Sequence, residues 1–466
     1  MSQEHWSEAR LIPTSGINGA EEQERRATSA LLAVMTSVRE FGRALTQPLG
    51  APAGRVETYI EVPFQLGDRR VYPDGLIRVQ RGQRSWTALV EVKTGTNDLD
   101  ARQLEDYLDV AREHKHDALL TISNEISAVP GQHPTAVDRK KLKKVALHHL
   151  SWTQVLSSAV LQKEHRGVAD PDQAWILGEL IRYLEHPRSG ALELDDMGAG
   201  WVPVRTAISS GTLRASDKGL SEVVARFDAL LRFSSLQLGR RLGTEVVPVL
   251  SRRELAEPAL RAQSLVDSLV KDGVLHGAIR IPGAVGPLVF KADLRAQRIT
   301  CHVDIDAPRE GRSTTRVKWL VRQLKAAPES LRVESFVLHA RGPGQSELLA
   351  AVREDPAVLV VDPTRDLKSF RVEMSAPTGT KRGRGRGAFI DSVLAAIDTF
   401  YSEVLQNLKA WSAAPPRLRE PDKSAIDPLD SNALSSQDGP EATGTSQPPD
   451  VATAASQSPE DVSDER

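Results

Sequence analysis

The stretch from Val71 to Lys93, VYPDGLIRVQRGQRSWTALVEVK, restricts the possible folds more than any other part of the chain. It reads as two strands joined by a polar turn, with Asp74 at the head of the first and Glu91 and Lys93 near the end of the second. Successive side chains of a strand point to opposite faces, so Glu91 and Lys93 point one way while Val90 and Val92 point to the apolar side. Two acids and a lysine therefore converge on one face.

Such a grouping suits a divalent cation with a phosphate beside it. Magnesium takes hard oxygen ligands and keeps several waters, so two carboxylates plus substrate oxygens are a normal complement. A bound Mg2+ or Mn2+ would lower the pKa of a water and neutralise phosphate charge, and an adjacent ammonium would stabilise the transition state. The reaction these residues imply is phosphodiester hydrolysis.

Pro73-Asp74-Gly75, followed beyond the turn by Glu91-Val92-Lys93, resembles the signature of the PD-(D/E)xK phosphodiesterase superfamily, the restriction-endonuclease-like nucleases. Downstream, Gln103 and Tyr107 stand four apart in QLEDY, on one face of a predicted helix, which is similar to the QxxxY element of the RecB-like branch. The resemblance implies that Asp74 and Glu91 are metal ligands and Lys93 the catalytic lysine. Gln103 and Tyr107 would face DNA or order the site, although Tyr107 also lies close to the apolar face of its helix. Such nucleases often add a carboxylate from a first helix, here Glu21, Glu22 or Glu24, with Glu24 taken as the third ligand; acids at a helix N-terminus also simply complement its dipole. Glu61 is a further candidate acid. Taken singly, Pro-Asp-Gly is an ordinary turn and Glu-x-Lys a common triplet.

The resemblance reaches as far as Lys163. It implies an α/β protein with a restriction-endonuclease-like α/β/α sandwich over residues 19–165, after a flexible stretch at 1–18. A helical segment at 170–240, an α+β domain at 241–411 and a disordered, acidic, Pro- and Ser-rich tail at 412–466 are expected to follow. The overall layout is also similar to bacterial proteins labelled stress response proteins, which suits a role in DNA repair, stress response or phage defence. A second reading belongs to another class: a nuclease-derived module that no longer cleaves and serves as a platform for nucleic acid or protein.

Net charge is only -2, so any nucleic-acid contact, expected to be with DNA, must come from local patches. Three are candidates. The run DRKKLKK supplies Lys140, Lys141, Lys143 and Lys144. Lys318, Arg322 and Lys325 fall at i, i+4 and i+7 of a predicted helix above Trp319, Leu320 and Leu324. Lys381, Arg382, Arg384 and Arg386 lie in TGTKRGRGRG, ahead of a helix N-terminus where backbone amides can hold an anion. Solvated helix faces and a basic linker are the plain alternatives.

A single cysteine, Cys301, excludes an internal disulfide and fits a reducing compartment, and no apolar run reaches the ~18–20 residues that span a bilayer. The expectation is a cytoplasmic protein without a membrane partner, and a homodimer would be compatible with double-strand cutting. Along the chain, one amphipathic helix is predicted from Gly19 to Leu45, then a strand in VETYIEVPF that makes an antiparallel meander with the central pair. The helix through QLEDY is expected to open on Thr96 or Asn97, and the one through AWILGELI on Asp172. DALLTIS and VALHHLSW read as strands, with His148 and His149 on opposite faces. Ile299, Cys301, Val303 and Ile305 alternate as the core face of a hairpin.

Overall fold

A computed structural model describes residues 10–127, 129 and 131–413. The tail from 414 onward and the first nine residues, half of the expected flexible N-terminus, lie outside the described residues. The three sheets found among the described residues all belong to one unit, Met1–Ser412. Among the described residues no helix is long and apolar enough to cross a membrane.

The chain opens with α1 (Ala20–Ser37) and α2 (Arg39–Thr46), then β1 (Arg55–Ile60), β2 (Phe64–Leu66), β3 (Arg69–Val71), β4 (Gly75–Arg81) and β5 (Arg84–Val92). Next come α3 (Ala101–Glu113), β6 (Ala118–Ser123), β7 (Ala146–Ser151), α4 (Trp152–Val160) and α5 (Pro171–Glu185). Five strands form a mixed sheet in the order β1-β4-β5-β6-β7, antiparallel through β1, β4 and β5 and parallel through β5, β6 and β7. Alternation divides its side chains between two cores. Ile77, Ala88, Val90, Leu120 and Ile122 meet α1, α2, α4 and α5 on one face, while Leu76, Leu89 and Leu119 meet α3 and the β2–β3 hairpin on the other. Helices thus cover both faces of the sheet.

The helix expected from Gly19 to Leu45 is two helices. Val38 is extended, at φ -106° and ψ 96°, and breaks it. Leu31, Leu32, Met35, Val38 and Phe41 are nevertheless all buried, because the second helix folds back onto the first: a Cβ at Gly42 would fall 2.3 Å from the Met35 carbonyl oxygen. Likewise α3 opens on Asp100 and not on Thr96 or Asn97, since Asp100 accepts the Gln103 amide at 2.8 Å. Helix α5 opens on Asp170, which accepts the amides of Asp172 and Gln173; Asp172 is already inside the first turn behind Pro171. VETYIEVPF is split between β1 and β2 by Glu61, whose φ of 48° turns the chain off the sheet.

The second half contains α6 (Trp201–Ser209), α7 (Leu220–Leu242), β8 (Val247–Pro248), α8 (Arg252–Ala256), α9 (Pro258–Asp272), β9 (Val274–Arg280), β10 (Leu288–Asp293) and β11 (Arg298–Asp306). It finishes with α10 (Ser313–Gln323), β12 (Arg332–Val337), β13 (Gln345–Leu348), α11 (Leu349–Glu354), β14 (Leu367–Pro377) and α12 (Phe389–Glu403). Seven strands pair antiparallel in the order β13-β12-β14-β11-β10-β9-β8. Ile299, Cys301, Val303 and Ile305 form the core face of β11, packed with α7, α9, α10 and α12. Burial pushes the Cys301 thiol up to about 12, so it is a small apolar core group.

Candidate active site

Four ionisable side chains from three elements meet where β5 leaves the sheet. Asp74 precedes β4 by one residue, and its Oδ2 accepts the Val92 amide at 2.7 Å, which ties the head of β4 to the end of β5. Gly75 follows because the backbone is crowded there: a Cβ would sit 2.5 Å from Leu32 Cδ1 and 3.1 Å from the Tyr59 carbonyl. Glu91 points to the α3 side of the sheet and is 1% exposed. Lys93 Nζ lies 2.6 Å from Glu91 Oε1 and 3.1 Å from Glu24 Oε1, so one ammonium bridges β5 and α1.

Of the three first-helix acids, Glu24 alone faces this group. Glu21 pairs with Arg25 and Glu22 with Arg26, one turn along in each case. Glu61 pairs with Arg25 at 3.2 Å, and its charge reaches Asp74 only as a weak repulsion.

The electrostatics follow from burial. Glu91 is pushed up to about 8, first by desolvation and then by the charge of Asp74, against the pull of Lys93. Asp74 and Glu24 are also raised, again with desolvation as the largest cause. Burial works against the Lys93 charge, but Glu91, Glu24 and Asp74 together outweigh it and hold Lys93 above its ordinary value. Among the described residues Glu91 Oε1 is met by the Lys93 ammonium at 2.6 Å, and Oε2 has no hydrogen-bond partner. A buried carboxylate oxygen without a hydrogen bond is costly unless something binds it.

A second tier holds this group in place. Gln103 Nε2 donates to Tyr107 Oη at 3.2 Å, and Tyr107 Oη donates to the Tyr72 carbonyl at 3.1 Å. The Tyr107 ring packs in the α3 core, so the residue is both core and support: it pins the loop that carries Asp74. Burial and the nearby Glu91 raise its hydroxyl to about 12, so it remains a donor. One support went unread in the sequence. Trp152, the first residue of α4, donates its indole N–H to the Lys93 carbonyl at 2.9 Å. The available signal was a tryptophan directly after a strand, whose buried N–H must find an acceptor.

The donor set suits a hard divalent cation, with Glu91 Oε2 free of hydrogen bonds among the described residues and Asp74 and Glu24 nearby. Among the described residues, however, no group of three Asp, Glu, His or Cys side chains is already arranged as a metal cage. Lys93 stands between Glu24 and Glu91.

The basic candidates are dispersed. Lys141 pairs with Asp109 of α3 at 2.5 Å, while Lys140, Lys143 and Lys144 are exposed on a short 3-10 turn. Lys318 and Arg322 are exposed on α10, but the helix ends at Gln323, so Lys325 lies beyond it and the three-residue stripe is broken. In the glycine–arginine loop, Arg382 pairs with Asp196 at 2.8 Å and Arg384 with Asp391 at 2.7 Å, whereas Lys381 and Arg386 are exposed. The Gly385 amide donates to Asp391 Oδ2 at 2.5 Å. The anion that this loop was expected to hold is thus the protein's own Asp391, in the first turn of α12. His148 and His149 do face opposite ways; His149 Nδ1 meets the Thr121 hydroxyl at 2.9 Å and its Nε2 the Glu125 carbonyl at 2.9 Å, a structural network.

Compared with protein-family models, curated proteins and solved structures, the chain matches none of them significantly.

Proposed function

We propose that the protein is a metal-dependent nuclease of the restriction-endonuclease-like kind, acting on nucleic acid, with DNA as the substrate class. The observation that carries this reading is Glu91: a carboxyl group 1% exposed, with only the Lys93 ammonium at 2.6 Å against its Oε1 and, among the described residues, no hydrogen-bond partner on its Oε2, beside the half-buried Asp74. A purely structural acid in a sheet would be expected to find hydrogen-bond donors. Asp74 and Glu91, with Glu24 as third ligand, would hold Mg2+ or Mn2+. The ion would supply an acidified water and charge neutralisation at the scissile phosphate.

The remaining roles belong to the chain itself. Lys93 is kept protonated by its carboxylates and can donate to a non-bridging phosphate oxygen, where negative charge grows in the transition state. Tyr107 and Gln103 fix the Asp74 loop against α3. Tyr72, half exposed beside Asp74, offers a ring on which an unpaired base can stack.

The test is cleavage of plasmid and linear single-stranded DNA by the full chain with Mg2+ or Mn2+, beside Asp74→Asn and Lys93→Ala. Cleavage that requires metal and falls by about 10²-fold or more in both variants is expected. Cleavage that survives both substitutions would refute the assignment.

One observation favours a second reading, a non-cleaving interaction module. Lys93 bridges Glu24 and Glu91, which is also how a retired site would neutralise its buried acids. A wild type that shifts DNA on a gel but cuts nothing with either metal selects that reading.

A further inference from the structure

Away from the carboxylate–lysine site, a cavity of ≈ 330 Å³ lies among α2, β7, α4 and α7, where the first core meets the second. Arg232 of α7 lines it and is 9% exposed. Among the described residues Arg232 makes no ion pair, and its Nη1 has no hydrogen-bond partner. The other buried arginines are all satisfied: Arg261 is paired with Asp228, and Arg316 with Asp366 and three backbone carbonyls. An unpaired buried guanidinium is costly, so its retention needs a cause.

Two more orphan groups line the same cavity from other elements. Among the described residues His148 Nε2 on β7 and Ser157 Oγ on α4 are buried without a well-formed hydrogen bond, with the Leu49 backbone close to the His148 ring. The apolar part of the lining includes Leu45, Leu49 and Leu236. Glu245, the one acid in the lining, is exposed and makes no ion pair with Arg232, but its charge reaches the guanidinium and offsets part of the cost of burial.

We propose that this cavity binds a small organic anion, a carboxylate or phosphate monoester, whose charged end meets Arg232, His148 and Ser157 and whose body packs on the leucines. A guanidinium presents a planar fork that matches either oxyanion. The volume falls at the lower end of small-molecule sites and excludes a polymer. The cavity shares no residue with the candidate nuclease site, so the proposal stands independently of that function.

The experiment is thermal melting of the full chain, titrated with inorganic phosphate, glycerol 3-phosphate and hexanoate, each against sodium chloride at equal ionic strength. A saturable rise in Tm with at least one probe is expected, and the responding probe distinguishes the phosphate source from the carboxylate source. Arg232→Met should abolish that rise while melting no lower than wild type in chloride, because it removes an uncompensated charge. Arg232→Lys retains the charge but not the fork and should weaken the response about 10-fold. A wild type that no probe stabilises beyond chloride overturns the proposal, as does a rise that persists undiminished in both variants.

Discussion

At the scale of single residues, the site depends on side chains that never touch a substrate. Tyr107 carries the Asp74 loop on one hydroxyl: its ring is fixed in the α3 core, and its Oη reaches the Tyr72 carbonyl two residues before Asp74. Tyr107→Phe keeps the ring and removes only that link. The loss in stability is expected to be about 1 kcal/mol, the net value of one hydrogen bond. If the hydroxyl positions Asp74, kcat for DNA cleavage should fall about 10-fold with little change in KM, and metal affinity should weaken in parallel. A variant with unaltered kcat and metal affinity would confine Tyr107 to packing. Gly75 supports the same loop by having no side chain, which lets Leu32 of α1 close over it and brings α1, with Glu24, to the end of β5.

At the scale of elements, alternation and helical periodicity made the two central strands, the β11 core face and the main helices legible. Helix starts were less legible, because several residues in each loop can cap. TGTNDLD offers Thr96, Asn97, Asp98 and Asp100, and the choice falls to Asp100 because Leu99 before it and Leu104 after it both enter the α3 core, the arrangement of a hydrophobic staple. Pro171 points to Asp170, because proline prefers the first helical position and the cap then falls on the residue before it. The convergence of Asp74, Glu91 and Lys93 could be read from strand geometry, and Glu24 only as one of three equivalent acids, since which helical residue faces Lys93 depends on how α1 lies on the sheet. Nothing local revealed that Asp391 would occupy the glycine–arginine loop, or that Arg232 would remain unpaired in a cavity. A buried ion pair also ties α7 to α9. Arg261 of α9 donates to Asp228 of α7 at 3.1 Å and to the His276 carbonyl of β9 at 2.8 Å. Asp228→Ala would leave that guanidinium buried with only Glu254, 3.9 Å away, to offset its charge, at an expected cost of about 3 kcal/mol, whereas Asp228→Leu with Arg261→Met should recover much of the loss. Urea unfolding of the single and double variants measures both, and an Asp228→Ala cost below about 1 kcal/mol would contradict it.

At the scale of the whole molecule, two sheets of different construction lie side by side in the chain. The mixed sheet is complete by Ser151 and gathers its last core helix with α5, which ends at Glu185. The antiparallel sheet is built differently, because an interior strand, β14, is the last strand in the sequence and lies between β11 and β12. Ribosomes deliver residues in order, so until Leu367–Pro377 has emerged the second half exists as two fragments, β8 to β11 and β12 with β13, each with an open edge and an uncovered apolar face. A chain stopped at Asp366 is therefore expected to show fast amide exchange throughout β9–β11, while β5 and β6 stay as protected as in the full protein. Equal protection of β9–β11 in both chains would contradict it. A nascent copy of this protein would spend its synthesis with the first half already locked and the second half adhesive, closed only by an 11-residue strand that arrives almost last.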